Sequence, residues 1–258
     1  MKISTQSAPG PKGPPSILLR GSPGAHKTSL ALLFPNPGIV DCDENLRGPE
    51  EYIRKFVKPD LEYRYHRVRY DDQDKPTAEP REWWPRFVLG FNSMVIEPWV
   101  KTIVTDSLTG LDEVLLRKTM DQQGRKEEMQ IQDWIPFRLK LRDMMFKMRQ
   151  TGKTNIVICH EEAKRNKQQE ITGYDVFLSS KLSEIFGWVF TDVWFIEAQP
   201  DIGGQKRPSK LWCSPVGLRS DLKSSNPDMP QCIEVKPDAK GLYDQGGLWT
   251  EVNKYLKL

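Results

Sequence analysis

The segment Gly21-Ser-Pro-Gly-Ala-His-Lys27-Thr28 has the residue types and spacing to hold a polyphosphate. Glycines let several backbone N–H groups converge on one anion, a lysine ammonium reaches two phosphates at once, and a threonine hydroxyl can serve Mg²⁺. The candidate phosphate contacts are therefore Gly21, Ser22, Pro23, Gly24, Ala25, His26, Lys27, Thr28 and Ser29. One position departs from the Walker A pattern: His26 stands where a glycine is usual. If that position needs positive φ, histidine is among the few side chains that tolerate it. A chance glycine-rich turn is the competing explanation. The apolar run before the segment and the helical pattern after it argue against that.

Phosphate chemistry also needs a carboxylate near the metal and a group that orients the attacking water. Asp106 follows Lys-Thr-Ile-Val-Thr and sits where an apolar strand ends, the Walker B pattern. With Thr28 it is the candidate metal site. Asp41, Asp43 and Glu44 cluster after Ile39-Val40, and any one of them could orient water or simply form an acidic turn. His160 closes the apolar run Ile156-Val-Ile-Cys159, where a polar side chain could touch a terminal phosphate. Gly152-Lys153-Thr154 also spells GKT, but it precedes a strand rather than a helix and reads as a connection.

These groups need elements that bring them to one place. Ser16 to Arg20, Gly38 to Asp41, Thr102 to Thr105, Asn155 to Cys159 and Val193 to Ala198 read as strands, with Leu211 to Cys213 and Ile233 to Val235 as late ones. Thr28 to Phe34, Trp83 to Glu97, the stretch after Asp133 and Phe177 to Phe186 read as helices. Trp134, Phe137, Leu141, Met144, Met145 and Met148 recur at helical spacing, the pattern of an ordinary core face. Residues 71–82 and 120–132 read as polar loops. Strands alternating with helices imply an α/β fold: a mostly parallel sheet with helices on both faces.

At 258 residues the chain is expected to form one domain over residues 16–258, preceded by a polar, mobile tail over residues 1–15. A formal charge of only +3 confines any nucleic-acid contact to a local cluster. The four cysteines lack CxxC spacing, which argues against zinc. No apolar run is long enough for a membrane helix, so the expected location is cytoplasmic, with no membrane partner.

The chain resembles RecA-like ATPases of the phage Sak single-strand-annealing group, distant kin of the RecA recombinases. The resemblance is carried by the phosphate loop with Leu30-Ala31-Leu32, Phe34-Pro35 leading to Val40-Asp-Cys-Asp43, Thr102 to Leu108, Asn155 to His160 and Ile185 to Val193. It implies a RecA-like P-loop core with ATP and Mg²⁺ as cofactors, DNA-stimulated hydrolysis and assembly into a homo-oligomeric ring or filament. Single-stranded DNA is the implied partner, with a single-strand-binding protein as a further candidate. The resemblance gives Asp43 the role of catalytic carboxylate, with Glu44 as the adjacent alternative, and His160 that of γ-phosphate sensor. Residues 119–133 and 161–176 correspond to two DNA-facing loops. The second carries Lys164, Arg165 and Lys167 as phosphate contacts and Tyr174 as a stacking residue, although Glu161, Glu162 and Glu170 dilute its charge. Arg219 and Lys223 resemble late basic positions that reach a neighbouring subunit's nucleotide. The competing functions are a P-loop nucleotide or metabolite kinase, which would need an arginine-rich lid, and a non-catalytic nucleotide-gated module.

Overall fold

The computed structural model describes residues 13–256 apart from 72, 74, 78, 126–127, 180–185 and 187. Most of the expected N-terminal tail therefore lies outside the described residues, as does most of the helix expected over 177–186. Of that stretch, Phe177 to Ser179 are not helical, and helix is present at Phe186, Trp188 and Val189.

Among the described residues, nine strands form one sheet. They are β1 (Ser16–Gly21), β2 (Pro37–Asp41), β3 (Arg64–Arg67), β4 (Thr102–Asp106), β5 (Thr154–Arg165), β6 (Ile171–Val176), β7 (Asp192–Glu197), β8 (Lys210–Trp212) and β9 (Cys232–Ile233). The order is β3-β2-β4-β5-β1-β7-β8-β9, with β6 paired to β5 off this path. From β3 to β7 every pairing is parallel; β8, β9 and β6 join antiparallel. The α/β expectation is met.

Six helices have both ends among the described residues: α1 (Lys27–Leu32), α2 (Arg47–Phe56), α3 (Trp83–Ile96), α4 (Leu108–Gln122), α5 (Trp134–Arg149) and α6 (Gly247–Leu256). Central strands are buried on both faces, so their residues alternate between two cores. Leu18, Val157 and Cys159 pack with Phe87 and Phe91 of α3, Leu111 of α4 and Phe137, Leu141, Met145 and Met148 of α5. Ile17, Leu19, Ile156 and Ile158 pack on the other face with Leu30 of α1, Ile53 of α2 and Val252 of α6. Cys42, Cys159 and Cys213 are buried free thiols.

Two expected loops are corrected. Residues 120–132 begin as helix, because α4 continues through Gln122. Residues 161–176 are not a loop: β5 continues past His160 to Arg165 and pairs antiparallel with β6, Glu161 opposite Val176 and Lys164 opposite Gly173. The turn is built by Asn166, whose side-chain oxygen accepts from the amides of Gln168 and Glu170. This hairpin carries polar residues on both faces, so it lacks the apolar alternation that identifies a half-buried strand.

Candidate functional site

Because β1, β2, β4 and β5 are parallel, their carboxyl ends lie along one edge of the sheet, where ligands of open α/β sheets bind. The register sets Asp41 beside Asp106, Asp106 beside Ile158, and Gly21 beside His160. Gly21 must be glycine, since a Cβ there would lie 2.6 Å from the Ile196 carbonyl oxygen. The loop that follows turns through Gly24 at φ 77° and His26 at φ 66° before α1 begins. Lys27 folds back over it, Nζ donating to the carbonyls of Gly21 at 2.9 Å and Ser22 at 2.8 Å. Burial lowers the Lys27 pKa, against the pull of nearby acids that include Asp106 and Asp43.

Thr28 Oγ1 donates to Asp106 Oδ2 at 2.6 Å. Burial pushes the Asp106 carboxyl up to about 7; Asp41 and Asp43 add to the rise, while Thr28 and Lys27 oppose it. A hydroxyl and a buried carboxyl in contact are a donor set suited to a hard, oxygen-seeking cation, so these residues fit Mg²⁺. At pH values below about 7 the arriving cation must displace a proton from Asp106.

The three acids after β2 separate into different roles. Asp41 Oδ1 accepts from the amides of Asp43 at 2.9 Å and Glu44 at 2.7 Å, and Oδ2 accepts from Tyr65 at 2.7 Å. It is buried and builds the turn. Glu44 takes φ 63° in that turn, is exposed, and is not part of the cavity wall. Asp43 alone of the three faces the cavity, with its Oδ2 3.7 Å from His160 Nε2. Burial would raise Asp43, but the neighbouring His160, Ser107 and Arg69 side chains outweigh it, so its pKa is lowered. Gly110 makes room for this side chain, because a Cβ there would meet Asp43 Oδ1 at 2.2 Å.

Together the phosphate loop, Asp43, Asp106, Ile158, His160 and Tyr52 enclose a cavity of about 340 Å³. Tyr52 and Gly110 carried no motif in the sequence, and Ser107 was marked only by its place in the Thr102 to Leu108 stretch. Tyr52 packs its ring on His26, centroids 4.9 Å apart, and Ser107 caps α4 by accepting from Gly110.

The other sequence candidates lie elsewhere. Lys164 is paired with Asp175 at 2.8 Å and Arg165 donates to the Gln169 carbonyl; Lys167 is exposed. Tyr174 is covered by the Arg219 guanidinium at 3.7 Å, so that ring face is not free for a base. Arg219 itself is held within its own chain by Glu161. Lys223 exchanges backbone hydrogen bonds with Val193. Lys153 of the second GKT donates to the Met94 and Glu97 carbonyls, closing the end of α3.

A phosphate loop between β1 and α1, faced by an acid at the end of β4, defines a P-loop nucleotide-binding protein of α/β fold. A family model described as an AAA domain matches residues 14–212, and the chain belongs to that family. It is thus a nucleotide-binding domain of the P-loop ATPase kind. No curated protein matches the chain. A solved structure whose title describes an ATPase domain is similar at 10% identity, covering 89% of this chain and 84% of that one, with a TM-score of 0.34, a likeness too slight to bear on function.

The positive φ at His26 gives a direct expectation. His26→Gly keeps or tightens nucleotide binding, whereas His26→Val costs about 1–2 kcal/mol because left-handed backbone crowds a branched Cβ. Nucleotide titration and thermal melting check this. A fully competent valine variant would show that the loop has no need of that backbone conformation.

Proposed function

We propose that the chain binds and hydrolyses ATP with Mg²⁺ and works on single-stranded DNA as a recombination or annealing protein, in a homo-oligomeric ring or filament. The observation that carries the ATPase reading is convergence. Lys27, the Thr28–Asp106 pair and the Asp43–His160 pair, brought in by the ends of β1, β2 and β4 and by the middle of β5, face one cavity. Loop amides and Lys27 hold the β- and γ-phosphates. Asp43, ionised because its pKa is lowered, accepts a hydrogen bond from the attacking water and fixes its approach. His160 stands beside Asp43, placed to register the terminal phosphate. Bound Mg²⁺ would neutralise charge on the phosphate oxygens, with Thr28 and Asp106 to hold it. Tyr52 offers the cavity an aromatic face for the nucleobase.

A kinase reading is disfavoured because, among the described residues, no arginine lines the cavity. ATP turnover measured with and without single-stranded DNA tests the proposal: DNA-stimulated hydrolysis supports it, and transfer of phosphate to a small acceptor without stimulation sinks it.

The DNA side rests on the resemblance to annealing proteins and on Lys164, Arg165 and Lys167 of the hairpin. Replacing Lys164, Arg165 and Lys167 together with glutamine should weaken single-strand binding. It should also flatten the salt slope by about 0.7 for each phosphate that is no longer neutralised. Because Lys164 is already paired with Asp175, Arg165 and Lys167 should account for most of the change. An unchanged slope would move the DNA site off the hairpin.

A further inference from the structure

Directly behind the cavity lies a cluster of charges that the site itself does not use. β5 passes from His160 to Glu161, and successive strand residues point to opposite faces. His160 faces Asp43; Glu161 faces the opposite side, where its carboxylate is almost wholly buried. There Glu161 Oε1 accepts from Arg20 Nε at 2.9 Å, with Arg20 Nη2 at the same distance as an ion-pair contact, and Glu161 Oε2 accepts from Arg219 Nε at 3.0 Å and Nη2 at 2.9 Å. Arg20 also pairs with Asp221. The Arg219 guanidinium is sandwiched between the rings of Tyr174 on β6 and Phe195 on β7, 3.7 Å from each.

Two facts make this more than a general brace. Arg20 immediately precedes Gly21, and Glu161 immediately follows His160, so the ion pair ties the root of the phosphate loop to the root of the hairpin. Arg219 reaches that pair from a distant segment and clamps β5, β6 and β7 at one point. The Arg219 fork on Oε2, with the Arg20 Nε hydrogen bond on Oε1, fixes the orientation of Glu161 as well as its position.

We propose that Arg219 is a positioning residue: by holding Glu161 against β6 and β7, it fixes His160 relative to Asp43 and the phosphate loop. The proposal rests on the ATPase reading for its kinetic arm only. Release of Arg219 from Glu161 leaves β5 free to tilt, and a displacement near 1 Å at a catalytic group can cost up to about 100-fold.

Arg219→Gln is the test, with Arg219→Lys as the conservative companion. Arg219 is 16% exposed, and Glu161 keeps Arg20 as a partner, so the fold should survive; melting checks this. Arg219→Gln is expected to lower kcat about tenfold while the ATP Kd changes less than about twofold, and Arg219→Lys to recover part of the loss. In a His160→Ala background, Arg219→Gln should have no further effect on kcat, since the two act as a unit. The second arm is spectroscopic. The chain has three histidines, His26, His66 and His160. Imidazole resonances of ¹⁵N-histidine-labelled protein should shift in Arg219→Gln for His160 and stay in place for His26 and His66. Additive kcat losses, an undiminished kcat in Arg219→Gln, or an unmoved His160 resonance would each overturn the proposal. Wild-type protein that binds but never hydrolyses ATP would instead overturn the ATPase reading, and the resonance arm would decide this one.

Discussion

Lys27→Ala is expected to abolish ATP turnover, with a loss of about 1000-fold or more, and to weaken nucleotide binding. The size follows from isolation. Among the described residues that line the cavity, Lys27 is the only lysine or arginine, so no neighbouring charge can replace it. The ammonium is already held over the loop by the carbonyls of Gly21 and Ser22, 2.9 and 2.8 Å away. Its transfer to phosphate oxygens therefore needs a small movement and little new desolvation. Phosphate release and nucleotide titration measure both effects, with melting as a control for folding. A Lys27→Ala protein that hydrolyses ATP at near the wild-type rate would show that this cavity is not the catalytic one.

Asp43→Asn should lower turnover by about 100- to 1000-fold, as expected when a positioned base is removed. Binding should respond differently. Asp43 places a negative charge where the terminal phosphate would lie, so its neutral amide should leave ATP affinity unchanged or improved. Glu44→Gln is the built-in comparison. Glu44 is exposed and off the cavity wall, so its loss should change turnover less than about threefold. Asp41→Asn should act on stability more than on rate, because Asp41 holds the turn through two amides and Tyr65. Single-turnover hydrolysis of the three variants separates these roles. Equal losses for Asp43→Asn and Glu44→Gln would remove the assignment of Asp43.

The features that carry short local signals could be read from the sequence. The phosphate loop announces itself by glycines between an apolar run and a helix, and Asp106 by its place at the end of a buried strand. The positive φ at His26 followed from asking what the usual glycine would supply. What sequence could not give depended on distant partners. Asp41, Asp43 and Glu44 are chemically alike, and only the fold makes one of them a turn-builder and another a cavity wall. Gly110 matters because α4 passes close to Asp43, a contact between segments far apart in the chain. Tyr52 reaches the cavity from α2, a helix that no motif marked. The hairpin was hidden because polar residues stand on both of its faces. Arg219 resembled a residue offered to a neighbouring subunit, yet its ion pair with Glu161 lies within the chain.

The unbroken length of β5 has a mechanical consequence. Its twelve residues run from the buried centre of the sheet, past His160, to the tip of the hairpin. The five residues beyond His160 form an arm about 17 Å long at the usual rise of an extended chain. A tilt of about 5° at its base would swing the far end by about 1.5 Å, by simple proportion to that length. Such a lever works in both directions: a displacement of the tip arrives at the imidazole geared down, and a small change at the imidazole arrives at the tip magnified. A hinge or insertion of flexible residues between His160 and Glu161 would uncouple the two ends while leaving each of them intact.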